Sequence, residues 1–372
     1  MRGYRHPPAA TVVLFVLAGL VAIACAPAAA VTPVPSVTGV ATPTASGASS
    51  TPTPTATATP LPTPTPLSGV SVLTGLPIDP LLAHRTPVAV MIDDARAARP
   101  QSGFNGASVV FQSPADGYET RYLMIFGEGD SRQVGPVRSA RFFLVQWSIE
   151  TASIIGHYGG DRKSRRFIRY ESELLTDVDA LGKGARAFHR ISSRRPPHNG
   201  YTSTKALRKR GLQLGSAELM AAAIRGRVFT DPSPTEARAA EQTIRVPYHT
   251  NVITWTYDRA SNLYRRSVDG RAQIDPADGK RVTATNVVVL YQKFRIDTHI
   301  EPGHARPVLK TTGKGVAWIY REGRVTKAFW TKARDVAPTL LVDKDGNEIP
   351  LIRGRTFFQV VPTGTKVTHR AH

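Results

Sequence analysis

The sequence predicts an α/β N-terminal module followed by a β-rich C-terminal module, carried on a disordered Pro/Thr-rich N-terminal spacer. Three observations predict it. Over 69–227, short apolar runs alternate with helix-like periodicity, the pattern of strands and helices built onto one sheet. From 244 onward, strand-like runs are punctuated by Asp269-Gly270, Asp278-Gly279, Glu322-Gly323 and Asp345-Gly346, dipeptides suited to hairpin turns. Over 26–68 there is no Asp, Glu, Lys or Arg, and almost every residue is Pro, Thr, Ala, Ser, Val or Gly.

The first element, 1–24, reads as a lipoprotein signal peptide. Arg2 and Arg5 precede an apolar stretch centred on Val12-Val13-Leu14-Phe15-Val16-Leu17, and small residues and Cys25 follow. About 15 apolar residues fall short of the roughly 20 that a stable span needs. Ala22-Ile23-Ala24-Cys25 resembles a bacterial lipobox, with Ala22 where Leu is usual. Cys25 is then the lipidation site, and its acyl chains anchor the mature chain to the extracytoplasmic face of the membrane. An ordinary secretory signal followed by a chance cysteine is the alternative. Cys25 is the sole cysteine, which excludes an intrachain disulfide scaffold, a multi-cysteine zinc site and an iron–sulfur cluster.

The segment 25–68 has too little bulky apolar surface to offset its ordering entropy. Its prolines favour extended polyproline geometry at about 3 Å per residue, a reach approaching roughly 100 Å. The whole chain carries 48 Lys and Arg against 28 Asp and Glu, a net charge of +20, and all but Arg2 and Arg5 of these charges lie beyond the spacer. Outside the membrane such a balance points to anionic partners, namely headgroups, wall polymers, acidic glycans or an acidic protein face, and not to nucleic acid.

Within 69–227, strands are expected at 87–93, 108–112, 120–126 and 153–157, and helices at 142–149 and 217–224. A linker is expected at 228–243, around Asp231-Pro232-Ser233-Pro234. Within 244–372, strands are expected at 252–257, 264–268, 286–291, 316–320, 339–342 and 356–361. Gly313-Lys314-Gly315 lacks the rest of a phosphate loop and reads as a strand turn. Trp318 and Trp330 read as core, and the tail with His369, Arg370 and His372 as frayed.

Four stretches are candidates for chemistry. In Gly135-Pro136-Val137-Arg138-Ser139-Ala140-Arg141, a helix start is expected, with Ser139 a capping residue type. Arg138 and Arg141 share a face if that turn is helical, and cations there oppose the helix dipole. They call for an internal carboxylate (Asp93, Asp94 or Asp116) or an external anion. Arg99-Pro100-Gln101-Ser102-Gly103 and Arg121 each read alone as turn or solvated arginine. His157-Tyr158-Gly159-Gly160 lies at a strand's carboxyl end, where open α/β sheets place ligands. His198-Asn199 follows two prolines. A His–Asn pair can orient a base, yet no cysteine nucleophile remains and no Gly-x-Ser-x-Gly elbow occurs, leaving Ser102 and Ser139 as nearby hydroxyls. Asp93, Asp94, His157 and His198 lack ligand spacing, so no metal or cofactor is expected.

These four stretches, with Asn286-Val287-Val288-Val289, Thr312-Gly313-Lys314-Gly315, Trp330 and Asp345-Gly346 in the second module, resemble the YerB-like bacterial lipoproteins. That is a domain-of-unknown-function family with an N-terminal and a C-terminal module. The resemblance spans 72–367 and implies a location more than a reaction. The family pattern is what gives Arg99 and Arg121 weight. Gln112 stands where the family tends to have Glu, and Asp116-Gly117-Tyr118 where it has an acid before a Gly pair, which argues against carboxylate catalysis at 112.

The expected function is binding of an anionic envelope component, or of a wall-assembly partner, by an Arg/His cluster. Arg138 and Arg141 would fork the anion, Arg99 and Arg121 would flank it, and His157 and His198 would hydrogen-bond it. Gln101, Ser102, Ser139, Gly159, Gly160 and Asn199 would complete the site. This reading requires no catalysis. The competing class is an envelope hydrolase or transferase acting on wall glycan, peptide or phosphate polymer, with His157 or His198 as acid–base and Asp93 in support. A third is a scaffold whose arginines form internal ion pairs.

Overall fold

Apolar residues at alternate positions bury both faces of one long sheet. The structure, a computed structural model, describes residues 69–151, 153–171, 173–218, 226–301 and 304–371. These residues belong to one compact unit, Pro64–His372. The signal peptide, Cys25, the spacer and most of the helix expected at 217–224 lie outside the described residues. No helix of the described residues is long and apolar enough to cross a membrane.

The N-terminal region is mixed α/β. The strands it gives to the main sheet are β1 (Val88–Asp93), β2 (Val109–Pro114), β3 (Thr120–Phe126), β4 (Ile154–His157) and β5 (Thr176–Asp179), and Phe188–Arg190 pairs separately with Gly200–Thr202. β1 and β3 are antiparallel, whereas β1, β4 and β5 run parallel. The helices are α1 (Pro80–His84), α2 (Phe142–Ser148), α3 (Arg162–Tyr170) and α4 (Thr204–Gln213). Asp79, Asp161 and Ser203 cap α1, α3 and α4 by accepting bonds from the free N–H groups of the first turn.

The C-terminal region is strand-rich, and it does not form a separate sheet. A ten-stranded sheet runs in the order Leu340–Val342, Arg324–Lys332, Gly313–Arg321, Asn286–Gln292, Thr356–Pro362, β2, β3, β1, β4, β5. Thr356–Pro362 is the join. It pairs in parallel with Asn286–Gln292 on one side and with β2 on the other. A strand with neighbours on both edges and cover on both faces is mostly apolar, and Phe357, Phe358, Val360 and Val361 are fully buried, with Gln359 between them accepting from the Tyr248 hydroxyl at 3.3 Å.

The two faces separate by alternation. Val90, Ile92, Val110, Tyr122, Val287 and Phe357 face a second sheet, contributing with Ile244, Ile253, Trp255 and Tyr264 to one core. That second sheet comprises Arg271–Ala272, Leu263–Val268, Val252–Asp258, Gln242–Pro247 and Thr368–Ala371, with Thr283–Ala284 paired to Leu263–Val268. Met91, Phe111, Leu123, Val288 and Phe358 face the other way and pack with Phe143, Leu144 and Trp147 of α2. Phe111 stacks between Trp147 and Phe358 at centroid distances of 4.8 and 4.5 Å.

Three expectations are corrected. The tail is an edge strand paired with Gln242–Pro247, because Thr368–Ala371 completes that strand's open ladder. Gly313-Lys314-Gly315 is not a turn; it begins the strand Gly313–Arg321. The segment 228–243 is more than a linker: Phe229–Thr230 pairs with Leu351–Ile352, and Gln242 starts a strand. The hairpin Phe294–Glu301/His304–Leu309 and the strand Arg324–Lys332 escape the sequence reading, since polar residues interrupt both.

Candidate functional site

β1 and β2 point the same way, so the loops after Asp93 and Pro114 emerge at one end of the sheet. Register sets Asp93 opposite Arg121 across the β1–β3 ladder. The next residue, Asp94, serves a different network, as side chains one apart in an extended chain diverge.

Asp94 is 1% exposed and saturated. Its Oδ1 accepts from Arg99 Nε (3.0 Å) and Gln101 Nε2 (2.7 Å). Its Oδ2 accepts from Gln112 Nε2 (3.1 Å), Asn251 Nδ2 (3.3 Å) and the Thr120 hydroxyl. Gln112 in turn accepts from Arg266 (2.6 Å), which is fully buried and also donates to Tyr122 (3.1 Å) and Gln273. The Arg266 guanidinium lies within 6 Å of four ring centroids, those of Phe104 (5.9 Å), Tyr122 (5.4 Å), Trp255 (5.6 Å) and Phe357 (5.0 Å). The network ties the two sheets together.

Asp116, in the loop between β2 and β3, is partly exposed and meets three arginines. Arg141 donates through Nε (2.7 Å), Arg306 through Nη1 (3.1 Å), and Arg121 sits 3.4 Å away. Burial alone would raise the Asp116 carboxyl, but Arg121 and Arg141 overcome it and hold it below its ordinary 3.8. Arg121 is almost wholly buried; burial, then the nearby Arg141, push it down to about 9. A guanidinium keeps its proton in proteins, and Asp116 and Asp93 offset part of the cost of burying this one. Arg121 also donates to the Ser139 carbonyl (3.0 Å).

Asp93 adjoins this cluster, and its charge acts on Arg121 as well. Its Oδ2 lies 2.6 Å from His198 Nδ1 and 2.9 Å from Arg138 Nε. Asp93 is buried while His198 and Arg138 are partly exposed. The pair orients the imidazole with Nε2 directed away from Asp93.

The structure thus brings Arg121, Arg138, Ser139, Arg141 and His198 together around Asp93 and Asp116. It takes Arg99 and Gln101 to Asp94 instead. Arg138 and Arg141 do not share a helical face: α2 begins at Phe142, Arg141 is its extended N-cap residue, and each arginine meets a different carboxylate. α2 has seven residues and its first turn carries no side-chain cap. His157 is fully buried, with Nδ1 on the Gly159 carbonyl (2.7 Å) and Nε2 on Asp177 (2.9 Å). Both ring nitrogens are engaged, so it ties the loop after β4 to strand β5. Gly159 takes φ +61° and donates to Asp179 (2.7 Å), and Gly160 bridges to Ala140 beside Arg141. Asn199 is held between Arg190 (2.5 Å) and the Ile191 carbonyl (3.2 Å). Ser102 is buried, its backbone paired with Gly135 and its hydroxyl unpartnered. Among the described residues no three His, Cys, Asp or Glu side chains form a metal-binding group.

Sequence reasoning missed Arg306 and Arg266. Arg306 is 190 residues from Asp116, beyond any spacing argument. A signal existed for Arg266: the alternation of Leu263–Val268 puts it on the inward face beside Tyr264. Beside the Asp116 cluster opens a cavity of about 400 Å³ whose cationic lining is Arg141, Lys163, Arg306 and Lys310.

A buried, mixed α/β unit extended by a strand-rich half, with an arginine-dominated cleft, is the class that fold and site define. Residues 73–217 match the N-terminal domain described as "Protein of unknown function (DUF3048)", and residues 244–358 match its C-terminal domain. Over 300 residues the chain is 31% identical to "Putative lipoprotein YerB" of Bacillus subtilis (strain 168), covering 78% of this chain and 85% of that protein. The crystal structure of the YerB protein from Bacillus subtilis superposes with a TM-score of 0.72 at 28% identity, over 81% of this chain and 99% of that one. The chain belongs to the DUF3048 family.

Proposed function

We propose that the chain is a membrane-anchored extracytoplasmic lipoprotein that binds an anionic component of the cell envelope at the Asp116 cluster. One observation carries the reading: Arg121, Arg141 and Arg306 converge on a single carboxylate at the edge of a cavity that Lys163 and Lys310 also line. Asp116 holds the guanidiniums in place without cancelling the field they project into the cavity. An anion entering there replaces water around cations already fixed by the fold, so little ordering is needed on binding. Anchoring is supported by the signal-like segment ending at Cys25 and by the name of the Bacillus subtilis relative.

The test is co-sedimentation of the unit Pro64–His372 with purified cell-wall sacculi, with soluble products followed in parallel. Saturable binding without products, weakened about tenfold in Arg141→Gln at a stability cost of about 1 kcal/mol or less, is the expected result. Absence of binding at low salt sinks it. For the anchor, Cys25→Ser is expected to release the chain from membranes and abolish incorporation of labelled fatty acid.

The hydrolase or transferase reading keeps one specific observation, the 2.6 Å contact that orients His198 on Asp93. Released muropeptides or phosphate, abolished by His198→Ala, would place the protein there. His157 no longer supports it, since neither of its nitrogens faces a cavity.

A further inference from the structure

The cationic cavity does not end at the Asp116 cluster. Lys310 and Thr312, on its wall, also line a second cavity of about 630 Å³. The two therefore adjoin along the segment that leads into Gly313–Arg321. The second half differs in chemistry from the first. Its accessible aromatic surface comes from the half-buried Tyr291 and Trp318, with the buried Trp330 behind them, Lys293 and Lys314 beside them and no carboxylate in the lining. Trp330 is held in place by its Nε1–H, which donates to the Tyr291 carbonyl at 2.8 Å. A Cβ at Gly315 would lie 2.5 Å from that nitrogen, so the indole occupies space that only glycine leaves open. In the first half the two carboxylates are already engaged. Asp161 caps α3 through Ser164, and Asp335 accepts from Gln146 at 2.6 Å.

We infer that these adjoining cavities bind an acidic polysaccharide, with sugar faces on the half-buried Tyr291 and Trp318 and acidic groups on the lysines and on Arg141. The inference rests on the anion-binding reading and names its ligand class. Flat aromatic faces offer apolar contact to the C–H face of a pyranose ring. Lysines beside them, with no acid among the lining residues of that half, select rings that carry negative charge. A simple phosphate would engage the cations and leave the aromatic half unused.

The experiment uses the full-length chain in detergent at low salt, titrated with polygalacturonate, dextran, polyphosphate and polyglutamate, the anions matched in charge. Tryptophan fluorescence reports the site through Trp318, because Trp147, Trp255 and Trp330 are buried. Polygalacturonate is expected to bind about tenfold tighter than polyphosphate or polyglutamate, and dextran not to bind; Trp318→Ala should remove that tenfold preference. Lys314→Gln, at an exposed position, should weaken polygalacturonate binding with an unchanged unfolding curve, which separates recognition from misfolding. Equal binding of polygalacturonate and polyphosphate, insensitive to Trp318→Ala, overturns the saccharide inference and leaves the anion site standing. Preference for polyglutamate overturns it in favour of an acidic protein, and binding of dextran overturns the need for charge. Failure of every anion to bind removes the anion reading as well.

Discussion

Asp94 and Asp116 follow two parallel strands at the same end of the central sheet, and their surroundings are opposite in kind. Asp94 is buried, and its five side-chain donors include a single cation, Arg99. Asp116 is partly exposed and meets three arginines beside a cavity. The first arrangement is closed: each oxygen is satisfied, and the bonds hold one sheet to the other. The second is open: charge of one sign predominates and solvent reaches it. Residue type alone does not separate structure from recognition here. The balance of charge and the access of water do.

Breaking the closed site should have the largest effect. Asp94→Ala removes one buried carboxylate and strands Arg99, Gln101, Gln112 and Asn251, so a loss on the order of 4 kcal/mol is expected in denaturant unfolding. A loss below about 1 kcal/mol would show that the network is dispensable. Arg266→Ala should cost about 3 kcal/mol by leaving its acceptors and four aromatic rings facing a cavity, while Arg266→Met restores most of it. Equal costs for the two variants would mean that the hydrogen bonds, and not the volume, dominate.

The open site should respond in the other currency. Arg141→Gln is expected to weaken anion binding by about tenfold while costing about 1 kcal/mol or less of stability, read by titration and unfolding on the same sample. Asp116 sharpens the contrast through pH. Its folded carboxyl sits below its ordinary 3.8, so its contribution to stability is present above that value and fades as pH falls through the lower folded value. The acid unfolding of Asp116→Asn should therefore be shallower below pH 3.8 than that of the parent, and parallel curves would refute the pairing. The smallest effect is expected at His157. His157→Asn should leave anion binding unchanged and raise amide exchange only in the loop after β4 and in β5.

Much of the local architecture was legible. The runs at 88–93 and 120–126, the helix at 142–148 and the strands at 286–292 and 356–362 announce themselves by unbroken or periodic apolarity. The candidate site was legible in part. Arg121, Arg138, Arg141 and His198 meet around Asp93 and Asp116, but Arg99 and Gln101 belong to Asp94 and His157 to Asp177. Those assignments turn on which side of an extended chain a residue faces, and a one-residue difference sends neighbours such as Asp93 and Asp94 to separate networks.

The sequence by itself determined the order and kind of most elements, the basic charge and the signal-like start, because each depends on residues close together in the chain. Tertiary structure alone decided that Thr356–Pro362 slots beside β2 to make one sheet of two regions. It alone brought Arg306 to Asp116 across 190 residues, and set the arginine cavity beside the Trp318 cavity, with Lys310 and Thr312 in both walls. The physical reason is common to all three. Strand pairing and ion pairing are chosen by proximity after burial has arranged the chain, and any of several carboxylates would have satisfied an arginine equally well before it.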